Sequence, residues 1–272
     1  MQTRTLHEIE HEAWSQRAAF YDDVFAGIST QAIAPVLNAL GDLRGKHLLD
    51  VACGTGHLVA AAAKRGAISQ GVDFAQPMVA VASTNYPTQR FQIADAANLT
   101  FEDASFDAVC CSFGLSHMEF PQAAVAEAFR VLRAGGRFAF TLWCGPDDGG
   151  EFFAIGRDAL AACATVPFTL PSAWTQMRHA DQQTCERIVK QAGFSAPQFQ
   201  RLPIAVQTAS AQTMLNLTDK IAVRSQLILE SQPAAVQQNI RDYMLAEIEA
   251  RRVDGVITLA WPALLTVAQK PE

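Results

Sequence analysis

The stretch Leu48-Leu49-Asp50-Val51-Ala52-Cys53-Gly54-Thr55-Gly56, followed by an Ala-rich run to Lys64, reads as a buried strand, a glycine turn and a helix. Glycine lets the backbone come close to a ligand, and the free amides at a helix N-terminus favour an anionic group. A nucleotide-like cofactor fits such a turn. The alternation continues downstream, with strands at Ile68–Val72, Phe91–Ile93 and Phe106–Ser112 and a helix at Pro77–Thr84. Ala124, Ala128, Val131 and Leu132 share one face of a helix over 121–133 that stops at Gly135-Gly136, and Arg137–Trp143 is a fifth strand. Strands separated by helices imply a mostly parallel α/β sheet with helices on both faces.

Working outward, Ile9, Trp14, Ala18, Tyr21 and Phe25 recur at helical spacing over 8–26, and another helix spans 29–40. After the fifth strand, Gly145-Pro146-Asp147-Asp148-Gly149-Gly150 is a turn cluster and 151–164 is an apolar helix outside the preceding rhythm. A loop with Pro167, Pro171 and Trp174 follows, then a helix at 181–191 and an extended run at 194–208. The segment 209–250 is helical with a break at Gln232-Pro233, and a last strand covers about 256–269. The expected organisation is one domain over 1–272: an N-terminal helical lid (1–40), a cofactor-binding core (45–145), helical caps (146–181 and 209–250), and the terminal helix and strands of the sheet (182–208 and 251–272).

The chain has 272 residues, 50% hydrophobic and 18% charged, enough to bury a full core. No stretch approaches the roughly 20 apolar residues of a membrane-spanning helix. Met1 to Glu8 lacks the apolar run of a secretory signal, so a cytoplasmic protein without membrane association is expected. The six cysteines show no CxxC spacing and are expected reduced, with Cys110 and Cys111 in the core. A net charge of −6 argues against a phosphate-tracking surface, hence against nucleic acid as partner. No metal-ligand spacing is present, so no metal is expected. A monomer or homodimer acting on a small molecule is the expectation.

The glycine turn alone leaves two cofactor classes open. A dinucleotide fingerprint also places glycines at a strand-to-helix turn with an acidic residue about 20 positions on. Counted from Gly54, however, its third glycine position is Val59. Asp73, ending the second strand, is placed to accept hydrogen bonds from both ribose hydroxyls in either class.

Five pieces, in order, decide between them: Leu49 to Gly56, then Gly71-Val72-Asp73-Phe74-Ala75-Gln76-Pro77-Met78, Ala94-Asp95-Ala96, Ser105-Phe106-Asp107-Ala108-Val109, and Glu127 through Gly136. With these the chain resembles the class I S-adenosylmethionine-dependent methyltransferases, in particular the branch of ubiquinone and menaquinone biosynthesis. The resemblance covers about residues 45–145 and implies a Rossmann-like sheet of seven strands. It implies that Gly54 and Gly56 pass under the methionine part and that Asp50 orders the loop and the amino group. It further implies that Asp73 holds the ribose, Asp95 and Ala96 meet the adenine, and Ser112 lies beside the sulfonium. Ala52, Phe74 and Met78 complete the cofactor set, and Trp14 and Tyr21 close over it as a lid. S-adenosylmethionine is the expected cofactor and S-adenosylhomocysteine the product.

Each of these residues has a plainer reading. Asp73 and Asp95 would each serve as a helix cap, and Trp14 and Tyr21 as the apolar face of a packed helix. His117, just after the fourth strand, is the candidate general base, since an imidazole exchanges protons near neutral pH. Glu119 and His179 are weaker candidates, and His57 is expected to position the glycine turn or face solvent. A methyl sulfonium is intrinsically electrophilic, so alignment supplies most of the catalysis. Phe152, Phe153, Phe168, Trp174, Met177, Met214, Leu215 and Leu217 in the caps point to a small, partly apolar or aromatic acceptor. Ser112-Phe113-Gly114-Leu115 stands where an Asp-Pro-Pro-Tyr-like run would mark methylation of DNA bases. The alternatives are a protein that binds the cofactor without methylating, by steering a cyclisation or as a binding module, and an NAD-linked oxidoreductase.

Overall fold

A computed structural model of the chain describes residues 4–168, 177–221 and 223–272. In chain order the helices and strands are α1 (Leu6–Arg17), α2 (Tyr21–Val24), α3 (Ala26–Ser29), α4 (Ile33–Leu40), β1 (His47–Val51), α5 (His57–Lys64), β2 (Ile68–Asp73), α6 (Gln76–Asn85), β3 (Arg90–Ile93) and β4 (Phe106–Ser112). They continue with α7 (Pro121–Val131), β5 (Leu132–Trp143), α8 (Glu151–Cys163), α9 (Gln182–Gln191), β6 (Gln198–Leu202), β7 (Ala205–Thr208), α10 (Ala211–Ile221), α11 (Val223–Glu230), α12 (Ala234–Glu249), β8 (Arg252–Val253), β9 (Val256–Ala260) and β10 (Ala263–Gln269). No helix among the described residues is long and apolar enough to cross a membrane.

The chain forms two compact units. The first comprises Met1–Leu142, Ser172–Leu202 and Ala263–Glu272. Its seven-stranded sheet has the order β3-β2-β1-β4-β5-β10-β6. β1 runs parallel to β2 and β4, β2 to β3, and β4 to β5, while β6 is antiparallel to β10. The chain moves outward from β1 to β3 and then returns to β4 on the other side of β1, so the strand order reverses between β1 and β4. In an open α/β sheet the carboxyl ends of the strands at such a reversal form the ligand crevice.

Residue alternation along the strands sends side chains to both faces. Leu49 and Val51 join Val109, Cys111, Phe138 and Phe140 in a core with Val125 and Val131 of α7 and Ile188 and Val189 of α9. Leu48, between them in register and fully buried, faces the other side, where α5 packs on β1 and β2. Helix α1 starts with a capping box: Glu8 N–H donates to Thr5 Oγ1 and Thr5 N–H to the Glu8 carboxylate.

The second unit comprises Trp143–Pro171 and Pro203–Pro262. It holds an antiparallel sheet of order β7-β9-β8 and the helices α8, α10, α11 and α12, with α8 packed on α12 and on β9. Phe152 stacks on Trp261 at 5.1 Å, and the Phe153 ring meets Trp261 edge-on.

Several sequence expectations change. The segment 8–26, expected as an amphipathic helix or two, continues past Arg17 as a 3-10 turn and two single-turn helices, because Phe20 at φ −127° leaves the helical region. Trp14, Ala18 and Tyr21 thereby share one cluster with Ala75 and Met78. Helix α7 ends at Val131 rather than at Gly135-Gly136, since Leu132 is drawn into the core and pairs with Phe106. The extended run 194–208 divides between two sheets: β6 pairs with β10, whereas β7 pairs with β9. The strand over 256–269 is likewise two, parted at Trp261-Pro262 where proline cannot donate to a ladder. The apolar residues expected to line an acceptor pocket are largely core of their own units: Phe152, Met214 and Leu215 are buried in the second and Met177 in the first. Phe153 and Leu217 are half-buried and Phe168 is exposed, while Trp174 lies outside the described residues.

Candidate active site

The turn that follows β1 carries two kinds of backbone constraint. Ala52 lies at φ 57° and Gly54 and Gly56 at φ 53° and 87°, all in the left-handed region. Phe113, just past the adjacent β4, lies at φ 63° with its N–H donated to both the carbonyl and the hydroxyl of Thr141. Non-glycine residues held at positive φ cost energy that surrounding structure must offset, and they cluster at ligand sites. Here the two strained turns sit side by side at the strand-order reversal.

Asp73 ends β2 beside this turn and is 6% exposed. One carboxylate oxygen accepts from Gly54 N–H and the other from Ala75 N–H, each at 2.9 Å. Asp73 therefore fixes the glycine turn and the entry to α6 together. Burial raises its pKa, while the two amides and the nearby His11 and His117 pull the other way. Each oxygen keeps a second lone pair.

Asp50, 2% exposed, lies in β1 opposite Gly71 of β2 and Cys110 of β4. Cys110 Sγ lies 3.4 Å from its Oδ1 and donates to it. Burial, reinforced by Asp73, pushes the Asp50 carboxyl up to about 7. The Cys110 thiol is itself raised by burial and by Asp50, so it stays a donor. All six cysteines are free, and Cys110 and Cys111 lie in the core.

The N-terminal segment is bonded directly to the turn. Asp22 accepts from Thr55 Oγ1 at 2.5 Å and Asn85 Nδ2 at 2.8 Å, and its Oδ1 is 2.9 Å from His57 Nε2. The other nitrogen of His57 pairs with Tyr86 Oη at 2.7 Å. Partial burial raises the Asp22 pKa, but the bonds from Thr55, His57 and Asn85 outweigh it and hold the carboxyl below its usual range. Trp14 and Tyr21 pack over Ala75 and Met78 of the α6 entry. The Tyr21 hydroxyl bonds to Ser29 Oγ at 3.2 Å, and desolvation pushes its pKa up to about 12, so it is a neutral phenol.

At the end of β4, Ser112 Oγ is buried with no hydrogen-bond partner among the described residues. His117 follows in a 3-10 turn, Leu115–His117. Its Nδ1 lies 3.0 Å from Oε2 of Glu10, a fully buried carboxylate of α1 that also accepts from Trp14 Nε1 at 3.0 Å. The Trp14 ring meets the imidazole edge-on at 4.9 Å. Glu119 accepts from His7 N–H at 3.4 Å, and the rings of His7 and His11 lie edge-on to the half-buried Phe74 at 5.5 and 5.4 Å.

The carboxyl edge of the sheet thus gathers Asp50, Ala52, Gly54, Gly56, Asp73 and Ser112, with Phe74 and Met78 of the α6 entry and Trp14, Tyr21 and His117 next to them. Asp95, beyond β3, is exposed; its Oδ1 accepts from Ala97 N–H at 2.9 Å and its carbonyl from Asn98. It caps its own loop with Ala96 half-buried beside it. Sequence reasoning missed Glu10 and Asp22, each joined to its partners from far along the chain. It took Glu127 through Gly136 as a matching piece without a role. In the structure Arg130 makes a bidentate pair with Glu127 and donates to the carbonyls of Leu99 and Phe101, while Glu127 accepts from Leu99 N–H. That pair braces the loop after Ala96.

This site fits the nucleoside cofactor implied by the sequence. A Cβ on Gly54 would meet nothing within 4 Å, which leaves open space above the turn. Each Asp73 oxygen has a lone pair beyond the one its amide takes, and the buried Ser112 hydroxyl has no hydrogen-bond partner among the described residues. Among the described residues no cluster of three or more His, Cys, Asp or Glu side chains is arranged to hold a metal ion.

Comparison with known proteins identifies the family and the fold. Residues 49–140 match the Methyltransferase domain family. The chain is 32% identical over 176 residues to a demethylmenaquinone methyltransferase of Renibacterium salmoninarum, spanning 61% of this chain and 74% of that one. It is 36% identical over 103 residues to a ubiquinone biosynthesis O-methyltransferase of Coxiella burnetii, which covers 36% of this chain and 44%, less than half, of the relative. The YcgJ protein of Bacillus subtilis shares the fold, with a TM-score of 0.61 at 21% identity over 89% of this chain and 99% of that one.

Proposed function

Because this chain belongs to the class I S-adenosylmethionine-dependent methyltransferases, we propose that it methylates a small, partly apolar aromatic acceptor bearing a ring hydroxyl, of the quinol or phenol type. The enzyme uses S-adenosylmethionine, which supplies an electrophilic methyl group on a sulfonium when bound. One relative is named a demethylmenaquinone methyltransferase and the other a ubiquinone biosynthesis O-methyltransferase; both names favour transfer over cyclisation and a quinone-type ring as acceptor, and the second favours a hydroxyl on it.

The observation that carries the reading is the junction of Gly54 with Asp73 at the β1–β4 reversal. In this reading Asp73 holds the ribose hydroxyls on its remaining lone pairs, and Gly54 and Gly56 let the backbone pass close beneath the cofactor's amino-acid part. Asp50 faces the amino group there, and Asp95 and Ala96 border the adenine. Ala52, Phe74, Met78 and Ser112 complete the contact surface. Trp14 and Tyr21 close over it and exclude water. His117 takes the hydroxyl proton of the acceptor as general base, and alignment of the nucleophile supplies the rest.

Calorimetry with S-adenosylmethionine, S-adenosylhomocysteine and NAD tests the cofactor, with binding of the first two and not the third expected. Incubation with methyl-labelled cofactor and a panel of quinols, catechols, phenols and amines tests the acceptor. Label is expected in hydroxylated rings; label found only in amines overturns the proposal.

A further inference from the structure

We propose that Glu10 is the positioning residue for His117: from α1 it fixes the imidazole with its proton on Nδ1, leaving the Nε2 lone pair as the base. The inference rests on the reading of His117 as base and adds the group that makes it one. Glu10 is a fully buried carboxylate, a rare placement for an acidic side chain unless something polar engages it. Its Oε2 is the meeting point of two elements, 3.0 Å from Trp14 Nε1 and 3.0 Å from His117 Nδ1. The indole is donor only, so it cannot serve His117 in Glu10's place. A carboxylate accepting from Nδ1–H selects the tautomer whose free lone pair is on Nε2.

The transfer then balances. The acceptor hydroxyl gives its proton to His117 Nε2, and an electron pair of the acceptor forms the bond to the methyl carbon. The pair of the breaking carbon–sulfur bond stays on sulfur, yielding S-adenosylhomocysteine. The imidazolium formed is balanced by the Glu10 carboxylate. Other charged groups bear on the pair: Arg17, which feels the charge of Glu10, Asp73, which feels both His117 and His11, and Glu119 two residues beyond His117. Because Glu10 and Trp14 lie on α1, the base is complete only when the N-terminal helix is docked. A sheet-edge histidine is thereby tied to closure of the lid.

Two measurements test this on the full chain. Nitrogen NMR of histidine-labelled, cofactor-loaded protein reads the His117 tautomer and needs no acceptor. The Nδ1–H form is expected in the wild type and a shift toward Nε2–H in Glu10→Ala; a wild-type Nε2–H tautomer overturns the proposal. Kinetics use catechol and para-nitrophenol at one pH, above the ionisation of the nitrophenol and below that of the catechol. Glu10→Gln, nearly isosteric, is expected to lower kcat with catechol about ten- to a hundredfold more than with the pre-ionised nitrophenol, with KM little changed. Glu10→Asp should restore part of that loss. Equal loss with both acceptors identifies Glu10 as structural only. If His117→Ala keeps full kcat with catechol, the base reading itself fails, an outcome separate from failure of the Glu10 assignment.

Discussion

Asp22 Oδ1 stands 2.9 Å from His57 Nε2, a contact that ties the single-turn helix α2 to the first residue of α5. The same carboxylate holds Thr55 and Asn85, so one side chain joins the N-terminal segment, the glycine turn and the end of α6. Asp22→Ala removes all three bonds at once. Hydrogen bonds to a charged group are each worth about 1.5–3 kcal/mol when buried, and Asp22 is about one-third exposed, so a net loss of about 1–2 kcal/mol is expected. Cofactor affinity should fall about tenfold, because the turn loses its tether. Asp23→Ala, at the exposed neighbouring position, is the control. Thermal melting and calorimetry check both effects. The Asp22 pKa is depressed, so its contribution is present above the unfolded carboxylate range and is lost as pH falls through the folded value.

Asp73→Asn separates charge from shape. The wild-type carboxylate accepts an amide proton on each oxygen, but an asparagine offers one oxygen and one donor. Either Gly54 N–H or Ala75 N–H must then face an NH2 group, and the proposed contact to the ribose hydroxyls loses an acceptor. S-adenosylhomocysteine affinity measured by calorimetry should drop at least about tenfold, and Asp73→Ala should drop it further. An unchanged affinity in the alanine variant would falsify the ribose role.

The two glycines of the turn should respond differently. Gly56, at φ 87°, would place a Cβ 2.7 Å from the Phe91 ring, so Gly56→Ala meets both backbone strain and a clash. It should cost about 2–3 kcal/mol of stability. Gly54, at φ 53°, would send its Cβ into open space. Gly54→Ala therefore costs only the left-handed backbone term, about 1 kcal/mol, while its methyl group occupies the volume assigned to the cofactor. Melting temperature should fall more for Gly56→Ala, and the ratio of cofactor affinity to stability loss should be worse for Gly54→Ala.

What the sequence made legible follows from how local each signal is. Asp50 through Gly56 and Asp73 lie at strand ends where hydrophobic runs meet glycine, so both the strands and the glycine turn between them could be read from contiguous residues. Glu10 and Asp22 could not. The first meets its partner 107 positions away and the second 35, and neither spacing carries a local pattern. The only hint at Glu10 was an acidic residue among Leu6, Ala13 and other buried positions of a helix. The small sheet was missed for a related reason. Alternation marks 205–208 and 256–260 as strands, but membership of one sheet or another depends on pairing partners that periodicity does not specify. Pro262 was the one local sign that the last run was two strands.

Asp50 gives the site a proton to release. Its carboxyl titrates at about 7 in the folded protein, against about 3.9 in an unfolded chain. Between those values the folded state holds a proton that the unfolded chain has lost. The stability contributed by this group is therefore full below about pH 4 and falls by about 1.4 kcal/mol per pH unit as pH rises toward 7. If Asp50 faces the cofactor's ammonium, binding favours the ionised carboxylate and expels that proton. Calorimetric binding enthalpies near pH 6 should then vary with the ionisation enthalpy of the buffer, by up to about one proton per site. Affinity should weaken as pH drops below about 7, by up to about tenfold per unit. Asp50→Asn should abolish the buffer dependence and flatten the slope of apo stability between pH 4 and 7. Identical enthalpies for the wild type in phosphate and in imidazole, two buffers that take up protons in this range with different ionisation enthalpies, would place the ammonium elsewhere, while leaving the Asp73 contacts of the turn in force.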